Sequence, residues 1–166
     1  MDVNNINIDE LLNKENTEQN SDNNKEETLE QRFSRERSEW TVKIQAMSAK
    51  MKDIFKVSEL MTEIYTERQI SVEYYHMLLT MLSKLNISYR KQWTEKYDFY
   101  SWKSQKRFPN EKTKELQILS EISDLTRKRE LLDTHIKFTS ATIGTIDNLI
   151  YGIKYKVEIE QISRGR

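Results

Sequence analysis

The sequence predicts an all-α protein: long amphipathic helices forming an oligomeric helical bundle or coiled coil, with a disordered acidic N-terminal tail. Three observations carry this. One proline and three glycines in 166 residues leave few turns, which suits a few long elements and not a short-looped β architecture. Neither residue occurs between Thr28 and Lys106. Apolar residues recur at alternating steps of four and three, the spacing of one helix face. Charged residues make up 33% of the chain, above the roughly 25% usual for globular domains. A large private core is therefore poorly supplied, and narrow stripes buried against partner chains are expected.

Residues 1–30 form the tail. They hold nine acids and two lysines, a net charge of −7, and no aromatic residue. Residues 31–166 carry 25 cations and 18 acids, a net charge of +7, so the neutral total hides a basic body behind an acidic segment. Within the tail only Ile8, Leu11 and Leu12 share a helical face.

A long helical segment occupies residues 31–107. Trp40, Ile44, Met47, Met51 and Ile54 set one register; Val57, Met61, Ile64, Arg68, Ser71, Tyr75, Leu78, Leu82, Leu85 and Tyr89 set a second. The phase change places a slip near Asp53–Ser58, within one helix or between two. Pro109 disfavours helical geometry at Phe108, and Asn110 suits the N-cap of a second long helix.

Residues 110–162 are expected to form a single heptad helix for oligomerisation. Its seam runs Ile118, Ile122, Leu125, Arg129, Leu132, Ile136, Thr139, Ile143, Ile146, Ile150, Ile153 and Val157. Ile136, Ile143, Ile146, Ile150, Ile153 and Val157 are the residues expected to join copies, and isoleucine at both seam positions favours more than two strands. Arg129 and Thr139 interrupt the aliphatic row, either as register devices or as a wetter gap. Gly144 and Gly152 serve either close helix approach or a bend.

The segment Tyr89–Phe108 stands apart. It gathers seven of the sixteen aromatic residues, Tyr89, Trp93, Tyr97, Phe99, Tyr100, Trp102 and Phe108, with six cations, Arg90, Lys91, Lys96, Lys103, Lys106 and Arg107. Only Glu95 and Asp98 oppose them. Rings stack on unpaired bases and cations neutralise phosphates, so their interleaving is the composition of a single-stranded nucleic-acid surface. The nucleic-acid-binding residues expected from it are Tyr89, Arg90, Lys91, Trp93, Lys96, Tyr97, Phe99, Tyr100, Trp102, Lys103, Lys106 and Arg107. The same rings also suit packing at the end of an oligomer core, as in a structural coiled-coil scaffold or adaptor. Composition leaves RNA open beside DNA.

Little in the chain suggests an enzyme. Absent cysteines exclude disulfides, thiolate metal sites and cysteine nucleophiles. His76 and His135 are single, far apart in sequence and without a neighbouring histidine, and His135, between Asp133 and Lys137, reads as helix surface. No phosphate-loop, dinucleotide or nucleophile-elbow motif occurs, so no catalytic residue, metal or cofactor is expected. No apolar run reaches the length of a membrane span and the N-terminus lacks the order of a secretion signal, so a cytoplasmic location without membrane contact is expected.

At Tyr97–Lys103 the run YDFYSWK resembles the aromatic-acidic-aromatic-aromatic motif of the UvsY recombination mediators of T-even-type bacteriophages. ERSEW at Glu36–Trp40, EKTKELQILSEISDL at Glu111–Leu125 and NLIYGIKYKVEIEQI at Asn148–Ile162 are similar to that family as well, so the resemblance spans residues 36–162. Lys96 and Lys103 match the basic positions before and closing the motif. Trp102 stands where the family usually has glycine, and Thr94 where a second basic residue is common, with Arg90 and Lys91 one turn earlier. The resemblance implies a ring-shaped homo-oligomer without chemistry of its own. It would bind single-stranded DNA and load a recombinase onto DNA coated with single-strand-binding protein, in the host cytoplasm if phage-encoded.

Overall fold

Four α-helices account for nearly all of residues 27–165, which the computed structural model describes. They are α1 (Leu29–Lys50), α2 (Val57–Asp98), α3 (Glu111–Glu121) and α4 (Ser123–Arg164). Among the described residues there is no strand, and no helix is long and apolar enough to cross a membrane. The all-α expectation holds; the expectation of a disordered tail falls, for residues 1–26, outside the described residues.

Helix α1 begins two residues before the expected boundary. Thr28 and Gln31 form a reciprocal capping box, each side chain satisfying the other's backbone N–H at 3.2 and 3.0 Å. Glu27, counted with the acidic tail, belongs to the fold: its carboxylate receives Nε and Nη2 of Arg35, both at 2.9 Å. The slip expected near Asp53–Ser58 is a true break. The chain turns through Met51–Asp53 and a 3₁₀ turn at Ile54–Lys56. Lys156 of α4 donates to the carbonyls of Met51 and Lys52 at 2.6 and 2.9 Å, satisfying acceptors that the end of α1 leaves open.

The chain divides into two units, residues 78–134 and residues 27–77 with 135–165, so α2 and α4 each contribute to both. In the second unit Trp40, Met47, Leu60, Ile64, Ile146, Ile150 and Ile153 form the buried core, with Ile44, Met51, Val57, Met61, Phe138, Leu149 and Val157 packed around it. Arg68 of α2 donates from Nε to Asp147 of α4 at 2.6 Å along its flank.

Three sequence expectations are corrected by the packing. The buried face of α2 runs Leu60, Ile64, Ser71, Tyr74, Leu78, Met81 and Leu85, so Tyr74 and Met81 lie inside while Tyr75 and Leu82 sit at the edge. The heptad helix is two helices: the backbone turns at Ile122 (φ −107°, ψ 21°), separating α3 from α4. His135 is fully buried, not on the helix surface.

The Ile-rich row of α4 is used within the chain. Ile136, Ile146, Ile150 and Ile153 are buried in the second unit; Ile143 and Val157 are half-buried. The row's polar interruptions are also explained. Thr139 is buried, and its hydroxyl donates to the His135 carbonyl at 2.9 Å. Arg129 donates to Asn86 Oδ1 at 2.8 Å and lies over the Tyr89 ring, 4.4 Å from its centroid. The glycines differ. A Cβ at Gly152 would meet Met51 Cε at 3.0 Å, so here a side chain packs close, whereas nothing lies within 4 Å of a Cβ at Gly144.

The second unit also holds a buried polar cluster that periodicity does not reveal. Glu36 accepts from Arg32 Nε at 2.9 Å, from the Tyr74 hydroxyl, and from His135 Nε2 at 3.0 Å. The imidazole is stacked on Phe33 with centroids 4.0 Å apart, and Phe138 lies beyond at 6.1 Å. Facing a carboxylate, Nε2 carries the proton; Nδ1 is buried without a hydrogen-bond partner. Burial pushes the Glu36 carboxyl up, but the three donors outweigh it and hold it at about 2. Burial, then the Glu36 charge, push the Tyr74 hydroxyl far above its ordinary range, so it remains a donor.

Candidate nucleic-acid interface

The aromatic-basic segment lies wholly in the unit of residues 78–134 and spans three backbone states. Tyr89 to Asp98 complete α2. Phe99–Lys103 form a π-helical turn, closed by the Ser104 N–H donating to the Phe99 carbonyl five residues back at 2.8 Å. Ser104 then turns extended (φ −80°, ψ 139°), and its hydroxyl accepts from the Lys106 N–H at 3.0 Å. The chain re-enters a helix at Asn110, whose side chain accepts from the Thr113 N–H at 2.9 Å, as expected of an N-cap.

This geometry sorts the twelve residues into two groups. One is engaged within the unit. Trp93 and Tyr97 stack at 5.0 Å and 18°, and Lys114 of α3 covers the Tyr97 ring 4.0 Å from its centroid. Tyr89 lies under Arg129. Lys96 pairs with Glu121 at 2.7 Å, and the Tyr100 hydroxyl donates to the same carboxylate. Lys106 donates to Gln117 at 2.9 Å while lying 5.2 Å from the Phe108 centroid, and Phe108 meets Tyr100 edge-on.

The second group faces outward. Trp102 is 83% exposed and Phe99 46%. Arg90, Lys91, Lys103 and Arg107 are exposed, and among the described residues none is ion-paired to a carboxylate. Contacts with α3 explain the split. Residues i, i+1 and i+3 of a helical turn point in different directions, so the rings of Phe99, Tyr100 and Trp102 cannot fall in one column. Tyr100 points back to Glu121, while Phe99 and Trp102 remain in solvent.

Sequence reasoning missed the residues that brace this surface. Lys114, Gln117 and Glu121 share a face of α3 at steps of three and four. Lys114 is nearly buried, held by Glu111 at 2.9 Å and Ser101 at 3.1 Å. Their helical spacing beside an aromatic-basic segment was the available signal. Lys96, then Tyr100 and Gln117, hold the Glu121 carboxyl at about 2, and the reciprocal charge raises Lys96 above the ordinary lysine range. Among the described residues no group of three or more His, Cys, Asp or Glu side chains is placed to hold a metal ion.

Among the described residues, Trp102 exposed beside cations that pair with no carboxylate has the composition of a nucleic-acid-binding surface. Residues 53–166 match the family model described as "Recombination, repair and ssDNA binding protein UvsY". The chain belongs to the UvsY family. No curated protein and no solved structure matches it.

Proposed function

We propose that the chain binds single-stranded DNA through Tyr89–Arg107 and acts as a recombination mediator, loading a recombinase onto DNA coated with single-strand-binding protein. The observation that carries this is Trp102, a large ring 83% exposed on a braced turn, with the exposed cations Lys103 and Arg107 close along the chain. An exposed tryptophan costs solubility, and stacking an unpaired base uses the ring that protein packing leaves free. Family membership supports the same use. The mediator role requires no catalytic group, and the protein works in the cytoplasm, without a cofactor.

Self-association would repeat this surface and raise avidity along a strand. A ring-shaped homo-oligomer has a face available on α4: Tyr151, Tyr155, Ile159 and Ile162 are each about 60% exposed and recur at steps of four, four and three. Ile143 and Val157, half-buried, remain partly available; the deeper isoleucines already pack within the chain.

Fluorescence anisotropy with labelled oligonucleotides across a salt series tests the binding. Affinity should fall with log–log slope of about −0.7 per neutralised phosphate. Trp102→Ala should weaken binding by about 1–3 kcal/mol, the usual contribution of one stacked base. Absence of single-strand affinity at low salt would instead favour the coiled-coil scaffold. RNA competitors separate the two nucleic acids, and recombinase assembly on coated DNA tests the loading step.

A further inference from the structure

Glu121 closes α3 and accepts three donors from three side chains: Lys96 Nζ at 2.7 Å, the Tyr100 hydroxyl, and Gln117 Nε2 at 3.0 Å. An ammonium, a phenol and an amide converging on two anionic oxygens is the donor set expected around a backbone phosphate. The pair is not sealed: the Lys96 side chain is 45% exposed and that of Glu121 24%. The anion position is therefore open to solvent and already filled, by a residue of the protein.

We propose that Glu121 is a built-in competitor of DNA: its carboxylate occupies the phosphate position at Lys96 and Tyr100, and a phosphate of the bound strand displaces it. The proposal rests on the reading that this surface takes single-stranded DNA. The carboxylate is held at about 2, so it is charged throughout the neutral range and competes at every working pH. A strand must exchange one anion for another at Lys96, while Lys103 and Arg107 are contacted without exchange. Affinity is thereby kept below what the cations would otherwise give. A protein that transfers a strand to another protein benefits from this, because the carboxylate returns as the phosphate leaves.

Glu121→Gln removes the charge and keeps an acceptor for Tyr100. Single-strand affinity at low salt should rise about fivefold. The log–log salt slope should steepen by about 0.7, as Lys96 becomes one more phosphate contact. Adding Lys96→Gln should erase both gains, and this non-additivity separates competition from a general change in net charge. A second measurement uses the unaltered protein. Carbodiimide labelling of Glu121, read by peptide mass spectrometry, should increase when oligonucleotide is added, because the displaced carboxylate loses its partners. Unchanged or weaker binding by Glu121→Gln, or labelling that stays constant or falls, overturns the proposal. If the unaltered protein binds no single-stranded DNA, the assignment of the surface fails instead, before Glu121 is tested.

Discussion

Each unit contains a carboxylate held by a tyrosine hydroxyl and nitrogen donors, and the two carboxyls reach the same low value against different opposition from burial. Glu36 is nearly buried, and burial opposes its charge; Tyr74, His135 and Arg32 together overcome that opposition. Glu121 is partly open to water, and Lys96 is its largest influence, with burial a minor opposing one. A buried carboxylate has no replacement ligand, so its donors are fixed by the fold. An exposed one can exchange its donors with another anion at little cost. Similar chemistry thus acts as a structural fastening in one unit and as an exchangeable contact in the other.

The largest effect should come from breaking the fastening. Glu36→Ala leaves Tyr74, His135 and Arg32 facing a void and should destabilise the protein by about 3–5 kcal/mol in urea unfolding. A loss below about 1 kcal/mol, the usual limit for an exposed pair, would place Glu36 with the exchangeable kind. Acid sharpens the contrast next. The folded value of Glu36 lies near 2 against an ordinary 4.5, so its stabilisation is complete above about pH 5 and is lost as pH falls toward 2. That window is worth about 3 kcal/mol, and melting temperatures should decline through it less steeply in Glu36→Gln. Smallest is the effect of Gly144→Ala. With nothing within 4 Å of the added Cβ, helix propensity alone should stabilise the second unit by about 1 kcal/mol. Gly152→Ala should gain less, because Met51 Cε must move aside.

Helix content, the break near Asp53 and the Asn110 cap were all legible, because periodicity, proline and N-cap chemistry act over a few residues. The phase of α2 was not. Tyr74 and Tyr75 serve a periodicity count equally well, and only the distant Glu36 and His135 decide which ring turns inward. His135 misled for the same reason: its sequence neighbours Asp133 and Lys137 are polar, while its spatial neighbours are Phe33, Tyr74 and Phe138. Within the aromatic-basic segment, composition marked the run but not which of its residues pack and which face solvent. That division depends on the polar face of α3, which lies outside the twelve residues.

The three tryptophans occupy three solvent environments: Trp40 is 2% exposed, Trp93 half-buried against Tyr97, and Trp102 83% exposed. The protein is therefore optically labelled by its own side chains. Trp40 reports the unit that holds the polar cluster, through blue-shifted emission shielded from acrylamide. Trp102 reports the aromatic-basic turn, emitting at the red edge and open to collision. Unfolding and ligand occupancy can be followed separately in one cuvette, without an attached dye.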